Sequence, residues 1–249
     1  MGSALIAYSG GADSTFLAKI AFDELGDKLL TATVESKIHP AYETKQAKEL
    51  IKQLGIRNII IKGSELQNEA FISNPKERCY LCKKEIFSNL KKIAEKNSLN
   101  FIADGSNRDD LKEYRPGLKA IHELKIRSPL QEADFSKNDI RILSKKIGLP
   151  TWNKPSNACL VTRIPYDERI TKAKLKMIEK SEEFIRDFGF KQVRVRNHGK
   201  IARIEVNEKD ISLITRKEIR EEILKYLKKI GFNFIALDLQ GYRSGSMDE

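Results

Sequence analysis

The sequence predicts an α/β protein whose larger part is a parallel sheet with crossover helices and whose smaller C-terminal part is α+β. Three observations lead to this prediction. Short apolar runs alternate with helically periodic segments through the first half of the 249-residue chain, which is the pattern of a parallel sheet. A glycine-rich turn joins the first apolar run to the first helical segment. Beyond about residue 165 the order becomes helix, strand, strand, helix, strand.

The apolar and helical patterns define the elements in turn. In the first half, the predicted strands are Leu5–Tyr8, Leu29–Val34, Asn58–Ile61 and Phe101–Asp104. The predicted helices run from Asp13 or Ser14 to Gly26, from Ala41 to Leu54, from about Tyr80 to Lys96 and from Lys137 to Lys146. The second half is expected to form, in a ferredoxin-like arrangement, helix Lys172–Phe188, strands Gln192–Arg196 and Ile201–Val206, helix Lys217–Ile230 and strand Phe232–Leu239.

Residues 149–166 interrupt this pattern. Pro150, Pro155 and Pro165 disfavour a regular element there and indicate an ordered linker or active-site segment. We therefore expect three regions. They are a parallel-sheet domain over residues 1–150, a cysteine-bearing linker over 151–166, and an α+β domain over 167–249 that binds substrate or mediates oligomerisation.

The composition is that of a globular chain, with 40% hydrophobic and 33% charged residues. No apolar run has the length of a bilayer-spanning helix, and the first residues lack the features of a signal peptide. We therefore expect a cytoplasmic protein with no membrane partner. The net charge is +11, from 46 Lys and Arg against 35 Asp and Glu. A solvated lysine-rich surface and a nucleic-acid footprint both explain this excess, and composition does not separate them.

The turn after the first predicted strand reads Ser9-Gly10-Gly11-Ala12-Asp13-Ser14. Glycines let the backbone turn tightly, so that successive N–H groups point at one anion. The serines add hydroxyl donors, and the dipole of the following helix favours negative charge at its N-terminus. A glycine-rich turn with a capping aspartate is the alternative, but six matching residues at this place favour a phosphate site.

Asp13 narrows the kind of phosphate chemistry. An aspartate beside a phosphate indicates an intervening Mg²⁺, because two anions otherwise repel each other. The loop has no Walker lysine, which disfavours transfer of a terminal phosphate. The loop resembles that of the PP-loop ATP pyrophosphatases, a superfamily with a Rossmann-like, adenine nucleotide alpha hydrolase-like fold. This resemblance implies that ATP is cleaved between its α- and β-phosphates and that a substrate oxygen becomes linked to AMP.

A second polar run, Asp104-Gly105-Ser106-Asn107-Arg108-Asp109-Asp110, follows the fourth predicted strand. Because the carboxyl ends of parallel strands share one edge of a sheet, this run is expected to lie beside the glycine-rich loop. A capped turn is the alternative for any single residue in it. We expect Asp104 and Asp110 to contribute to nucleotide binding.

The chain has three cysteines, Cys79, Cys82 and Cys159. An odd number, in a chain without a signal peptide, argues against a disulfide framework. Cys79 and Cys82 lie three residues apart on one face of a predicted helix. Three explanations stay open. They are an iron–sulfur cubane with three thiolate ligands, a redox dithiol or persulfide beside an independent nucleophilic Cys159, and structural zinc or core thiols.

At this level of detail the chain resembles one family in particular, the LarE-type sulfur transferases, essentially from end to end. These enzymes make the thiocarboxylate groups of the nickel-pincer nucleotide. Besides the phosphate loop, the resemblance rests on four motifs: Asn74-Pro75-Lys76-Glu77-Arg78-Cys79-Tyr80-Leu81-Cys82-Lys83, Pro155-Ser156-Asn157-Ala158-Cys159-Leu160-Val161-Thr162-Arg163-Ile164-Pro165-Tyr166, Val193-Arg194-Val195-Arg196-Asn197-His198-Gly199 and Gly241-Tyr242-Arg243-Ser244-Gly245-Ser246-Met247.

The resemblance implies a two-step reaction. A carboxylate of pyridinium-3,5-biscarboxylic acid mononucleotide is adenylated with release of pyrophosphate, and sulfur then displaces AMP. In relatives with a single cysteine, the residue matching Cys159 surrenders its own sulfur and becomes dehydroalanine. The additional Cys79 and Cys82 favour repeated delivery of sulfur through a [4Fe-4S] cluster held by all three cysteines.

The same resemblance assigns roles to residues. Asp13 and Cys159 are the predicted catalytic residues. Arg194 and Arg196 alternate with valines on a predicted strand and so share a face. With Arg163 they are predicted to hold the substrate phosphate, which suits the guanidinium fork, although exposed strand arginines are the alternative. The predicted contacts to ATP and Mg²⁺ are Ser9, Gly10, Gly11, Asp13, Ser14, Ser36, Lys83, Asp104 and Asp110.

The expected partners are a small-molecule nucleotide, sulfide or another sulfur donor, and further copies of the chain in a homo-oligomer. The nearest alternative function is that of a PP-loop tRNA thiolase, which the basic charge would serve, but no aromatic-rich RNA platform is evident in the sequence. A sensor that binds ATP without turnover is the other alternative.

Overall fold

The computed structural model of the protein describes residues 2–112, 115–155, 158–243 and 245–247, apart from the side chain of Lys112. The chain divides into two compact units. The first comprises residues 1–71 and 75–157, and the second comprises residues 72–74 and 158–249. Residues 151–166, predicted as a linker, are thus divided between the two units. Within the described ranges no helix is long and apolar enough to cross a membrane.

A four-stranded parallel sheet forms the centre of the first unit. Its strands are β1 (Ala4–Ala7), β2 (Leu29–Glu35), β3 (Asn58–Lys62) and β4 (Phe101–Ala103). They pair in the order β3-β2-β1-β4, so β1 has a hydrogen-bonded neighbour on each side. The helices that the structure describes around this sheet are α1 (Ala12–Leu25), α2 (Ala41–Gln53), α3 (Glu69–Ile72), α4 (Arg78–Lys96), α5 (Gly117–Glu123), α6 (Pro129–Glu132) and α7 (Lys137–Lys146).

Apolar side chains cover both faces of this sheet, because crossover connections place helices on both sides. Ala4 and Ile6 of β1 belong to one buried cluster together with Phe16 of α1. Leu5, which points to the opposite face, belongs to a second cluster with Leu90 of α4. Packing therefore fixes strand β1 on both faces. It also fixes the position of the carboxyl end of β1, where the glycine-rich turn begins.

The second unit is of the α+β class. Its strands β5 (Val193–His198), β6 (Ile201–Val206) and β7 (Phe234–Leu237) form a sheet in that order, antiparallel between β5 and β6 and parallel between β6 and β7. Its described helices are α8 (Lys172–Asp187), α9 (Ile211–Ile214) and α10 (Lys217–Lys229). Helix α10 provides the crossover that the parallel pair requires.

Residues 72–74, which precede α4, belong to the second unit. The carbonyl of Ile72 accepts a hydrogen bond from the N–H of Ile170 at 2.8 Å. The side chain of Asn74 donates to the carbonyl of Pro165 at 2.6 Å. Asn74 has a φ of 62°, a left-handed conformation that asparagine tolerates better than most residues. These bonds make the second unit discontinuous in sequence.

The structure confirms the predicted fold class, and the long elements lie close to their predicted bounds. Helix α7 has the predicted bounds because Ser136 caps it, with its side chain accepting from the backbone N–H three residues on. Helix α1 begins at Ala12, ahead of the predicted cap, because Gly11 occupies the cap position. Strand β7 starts later than predicted because Phe232 donates its N–H to the carbonyl of Leu227 in α10.

A buried ion pair lies in the second unit between Arg163 and Glu182, each 1% exposed. Nε of Arg163 lies 2.9 Å from Oε1 of Glu182, and Nη2 lies 3.3 Å from Oε2. Burial alone would raise the pKa of Glu182, but the charge and hydrogen bond of Arg163 outweigh it and the pKa is lowered. Nη1 of the arginine also donates to the carbonyls of Ala158 at 2.7 Å and Cys159 at 2.9 Å. The pair thereby ties the backbone of Cys159 to α8.

Removing one member of this pair should destabilise the protein more than removing both. We expect Arg163→Met to lower the free energy of unfolding by about 3–5 kcal/mol, because Glu182 is left buried with only its longer ion pair to Arg186, at 3.6 Å. The double variant Arg163→Met, Glu182→Leu should recover most of that loss, since it removes both charges. Urea unfolding followed by circular dichroism measures both. Equal losses in the single and double variants would contradict the assignment.

Candidate active site

A cavity of about 370 Å³ opens at the carboxyl edge of the parallel sheet in the first unit. Tyr8 follows β1 there, Val34 lies near the end of β2, and Asp104 follows β4. This edge is where ligands bind in open α/β sheets. The predicted nucleotide contacts that line the cavity are Ser9, Gly11, Asp13, Ser14, Lys83, Asp104 and Asp110.

The phosphate loop, residues 9–14, is held by hydrogen bonds of its own serines. The Oγ atoms of Ser9 and Ser14 lie 2.9 Å apart, and the N–H of Gly11 donates weakly to Oγ of Ser9 at 3.4 Å. Helix α1 begins at Ala12, and its cap residue Gly11 has no side chain to satisfy the first N–H groups. Because these residues line the cavity, the N-terminus of α1 is open to an anion there.

Two glycines let neighbouring segments approach the phosphate loop closely. Gly10 has a φ of 72°, and a Cβ atom placed there would lie 2.5 Å from the Cβ of Ala47 in α2. A Cβ atom at Gly105 would lie 3.0 Å from the backbone nitrogen of Ser14. Helix α2 and the segment after β4 therefore pack directly against the loop and restrict its conformation from two sides.

Asp104 is 6% exposed and is oriented by three side chains. Its Oδ1 accepts from the hydroxyl of Ser128 at 2.7 Å, and its Oδ2 accepts from the hydroxyl of Ser106 at 2.6 Å. Nζ of Lys83 lies 3.5 Å from Oδ2. Lys83, placed in the site on resemblance alone, therefore lies on the cavity wall as the partner of a predicted site residue.

Asp110 lines the same cavity and is also buried. Its side chain accepts from the N–H of Asn107 at 3.0 Å and pairs with Nη1 of Arg115 at 2.8 Å. Burial raises the pKa of Asp110, the contacts with Asn107 and Arg115 oppose the rise, and the charge of Asp13 adds to it. The carboxylates of Asp13 and Asp110 thus repel each other, and a bound cation would relieve that repulsion.

Asp13 lies in the first turn of α1, where its two carboxylate oxygens have different surroundings. Oδ2 accepts a hydrogen bond from Nζ of Lys137, the first residue of α7. Oδ1 is buried and has no hydrogen-bond partner in the part of the chain that the structure describes. A buried acceptor without a partner is costly, so this oxygen is available to a ligand.

Sequence reasoning missed three cations that line the cavity: Arg115, Lys137 and Lys154. Lys137 had a usable signal, because it directly follows the helix cap Ser136 at the edge where the other site residues were expected. Lys154 lies in the proline-interrupted segment, where no periodicity indicates which way a side chain points.

Gly10 and Ser36 differ from the other predicted nucleotide contacts because neither lines the cavity. Gly10 supports the loop from behind, against Ala47. Ser36 follows β2, and its hydroxyl donates at 2.7 Å to Oε2 of Glu65, which is 1% exposed. Contact of Ser36 with ATP stays a prediction.

The three cysteines differ in location. Cys79 is exposed and Cys82 partly exposed in the first turns of α4, with the spacing that places both on one helical face. Cys159 is partly exposed in the second unit, just before the 3₁₀ turn Leu160–Arg163. Among the described residues, no three His, Cys, Asp or Glu side chains are grouped to hold a metal ion. The arrangement of side chains therefore gives no support to the predicted [4Fe-4S] cluster.

The predicted phosphate-binding arginines all lie in the second unit. Arg194 and Arg196 are 6% and 5% exposed on β5. Arg196 makes two bonds to Glu205, at 3.0 Å from Nε and 2.7 Å from Nη2. Arg194 lies 5.3 Å from the ring centre of Tyr242. Burial lowers the pKa of Arg194, and the positive charge of Arg163 lowers it further. An anion bound between these guanidinium groups would offset their repulsion.

Known proteins match this chain over different lengths: some matches cover part of the chain, and others cover nearly all of it. Residues 2–97 match the NAD synthase family. The chain is 39% identical over 245 residues to an uncharacterized protein of Synechocystis sp., covering 98% of this chain and 91% of the relative. It is 37% identical over 248 residues to the pyridinium-3,5-bisthiocarboxylic acid mononucleotide synthase of Lactiplantibacillus plantarum, covering 98% and 88%. The glutamine-hydrolyzing GMP synthase of Aeropyrum pernix is 26% identical over 204 residues, covering 74% and 39%.

The close approach of Gly10 to Ala47 predicts that an alanine at Gly10 lowers the stability of the protein more than an alanine at Gly11. Gly10→Ala should destabilise the protein by about 1–3 kcal/mol, because the added methyl group meets Ala47 and the positive φ is strained for alanine. Gly11→Ala is the matched control. Its φ is −78°, and its added Cβ would lie 3.4 Å from the nearest atom, Oγ of Ser9. Thermal melting compares the two variants, and equal melting temperatures would contradict the predicted packing.

Proposed function

Because the chain belongs to the LarE-type family of PP-loop ATP-dependent sulfur transferases, we propose that it converts a carboxylate of pyridinium-3,5-biscarboxylic acid mononucleotide into a thiocarboxylate. The relative from Lactiplantibacillus plantarum is named for the bisthiocarboxylic acid product. One observation carries the proposal. The phosphate loop, the open N-terminus of α1 and Asp13 all line one cavity, an arrangement that suits a triphosphate with a bound cation.

In the first proposed step, the loop N–H groups and the hydroxyls of Ser9 and Ser14 bind the phosphates of ATP. A carboxylate oxygen of the substrate attacks the α-phosphorus. The bond from this phosphorus to the oxygen that bridges to the β-phosphate breaks, and pyrophosphate leaves with the bonding electron pair. Lys83, Asp104 and Asp110 form the wall against which the nucleotide is oriented.

Mg²⁺ would be held by Asp13 together with the phosphates of the nucleotide. Two observations fit a cation at this place. The buried Oδ1 of Asp13 has no hydrogen-bond partner among the described residues, and the charge of Asp13 helps to raise the pKa of Asp110. The ion would supply neutralisation of the charge that develops on the leaving pyrophosphate. Lys137 keeps the Asp13 carboxylate oriented through its other oxygen.

The phosphate of the mononucleotide is proposed to bind at Arg163, Arg194 and Arg196 in the second unit. A dianionic phosphate would offset the repulsion that lowers the pKa of Arg194. Arg163 would act mainly through its charge, because its donors serve Glu182 and the carbonyls of Ala158 and Cys159.

In the second proposed step, inorganic sulfide delivered at Cys159 attacks the acyl carbon of the acyl-adenylate and forms the new carbon–sulfur bond. The bond from that carbon to the adenylate oxygen breaks, AMP leaves with the electron pair, and the sulfur stays on the carbon as the thiocarboxylate. The hydrogen bond from Arg163 to the carbonyl of Cys159 fixes the backbone of this residue.

We further propose that Cys79 and Cys82 act together with Cys159 as ligands of a [4Fe-4S] cluster. Cys79 and Cys82 fit two ligand positions, because they are three residues apart on one helical face and both are accessible. A bound cluster would supply exchangeable inorganic sulfur and spare the sulfur of the protein.

The first step is tested by Asp13→Asn. We expect this variant to lose most pyrophosphate release while keeping its fold, because the residue lies at a loop–helix junction and the substitution removes a charge that the cation needs. Pyrophosphate is measured with ATP and the mononucleotide, beside thermal melting. Release at the wild-type rate would sink the assignment of the phosphate loop. Release that requires tRNA in place of the mononucleotide would refute the proposed substrate.

The sulfur step is tested by replacing each cysteine with alanine. If the three thiols hold one cluster, each single variant should lose bound iron and sulfur transfer to a similar extent while still adenylating substrate. Anaerobic purification followed by iron and sulfide analysis checks the first part. If Cys159 acts alone, only its variant loses transfer, and the used protein becomes lighter by about 34 Da, the mass of H₂S removed from a cysteine. That mass loss would refute delivery through a cluster.

A further inference from the structure

The cationic side chains that line the cavity of the first unit are Lys83, Arg115, Lys137 and Lys154. The first three each have a carboxylate partner. Lys83 pairs with Asp104 at 3.5 Å, Arg115 pairs with Asp110 at 2.8 Å, and Lys137 pairs with Asp13.

Lys154 lacks such a partner. Its Nζ donates to the backbone carbonyl of Gly10 at 3.0 Å. Within the ranges that the structure describes, Lys154 forms no ion pair with a carboxylate. One of its three donors thus meets a neutral acceptor. The carboxylate of Glu43 also lines the cavity and acts on the charge of Lys154, but the two form no ion pair.

This unpaired charge is not solvated as a surface lysine would be. Lys154 is half-buried, and burial lowers the pKa of its ammonium, while the more distant charge of Glu43 opposes that shift only in part. Holding a partly desolvated charge without a counter-ion destabilises the ligand-free protein. Such an arrangement is expected where an anion supplies the missing charge.

The carbonyl that Lys154 contacts identifies the place of that anion. Gly10 belongs to the phosphate loop, and the open N-terminus of α1 begins two residues later. Pro155, the neighbour of Lys154, also lines the cavity. The ammonium therefore reaches the loop from a segment 144 residues further along the chain. The phosphate loop has no Walker lysine of its own, and Lys154 places a positive charge beside it from another segment of the chain.

We propose that Lys154 is a catalytic residue that binds the β- and γ-phosphates of ATP and stabilises the negative charge of the departing pyrophosphate. The inference rests on the proposed adenylation reaction and adds a residue to it. As the bond at the α-phosphorus breaks, the electron pair goes to the pyrophosphate oxygens, and Lys154 remains protonated beside them. Lys137 is the weaker candidate for this role, because Asp13 already holds its ammonium.

The test compares ATP with AMP, which lacks the β- and γ-phosphates, by isothermal titration calorimetry. Lys154→Gln removes the charge but retains a donor for the Gly10 carbonyl, and Lys154→Met removes both. We expect both variants to bind ATP about ten- to a hundredfold more weakly, the scale of a lost charged hydrogen bond, and to bind AMP within about twofold of wild type. Lys154→Arg should recover part of the ATP affinity, and thermal melting of each variant reports folding.

Lys146→Met is the matched control, because this lysine is exposed at the end of α7 and does not line the cavity. It should leave both affinities unchanged. Unchanged ATP affinity in Lys154→Gln, or equal losses for ATP and AMP, would overturn the inference. These titrations contain no mononucleotide. Failure of the wild type to release pyrophosphate with the mononucleotide would therefore refute the proposed substrate while leaving the role of Lys154 decided by ATP binding.

Discussion

The phosphate loop depends on the contact between the backbone of Gly10 and Ala47 of α2. Strand β1 is hydrogen-bonded on both sides and covered on both faces, so the chain leaves the sheet at a fixed point. From there it turns through a left-handed residue with no room for a side chain and enters α1 without a capping side chain. The unsatisfied N–H groups of that helix face the cavity because of this turn.

The cavity holds most of its charges in pairs. Asp13, Asp104 and Asp110 each form an ion pair with a cationic side chain that also lines the cavity. When a triphosphate binds with its cation, these side chains can exchange their present partners for the phosphates and the cation. Their charges are already partly removed from water, so binding desolvates few further charges. Pre-oriented groups of this kind lower the reorganisation needed at the moment of reaction. The same pairing keeps the carboxylates in place while the cavity contains no nucleotide.

Sequence reasoning succeeded where a short local pattern determines the structure. Apolar runs that alternate with helical segments predicted the fold class, and the run from Ser9 to Ser14 predicted the phosphate loop. It failed where position depends on distant packing. Lys154 reaches Gly10 across 144 residues, and nothing near it in sequence indicates that contact. Helices α3, α6 and α9 have four residues each, too few for helical periodicity to be recognised. The arginines of β5 were expected on one face, but both faces of this strand are buried, so alternation alone does not show which partners they meet.

The discontinuous second unit has a consequence for the order of folding during synthesis. The bond from Asn74 to Pro165 joins residues 91 positions apart, and more than half of the first unit lies within that interval. Residues 72–74 leave the ribosome long before their partners are made, so this part of the second unit cannot form until the whole first unit has been synthesised. Closing a loop of that length is less costly in entropy when the intervening chain is already compact. Folding of the first unit thus prepares the closure that the second unit needs, and a chain interrupted after residue 157 would retain the Asn74 segment without the residues that bind it.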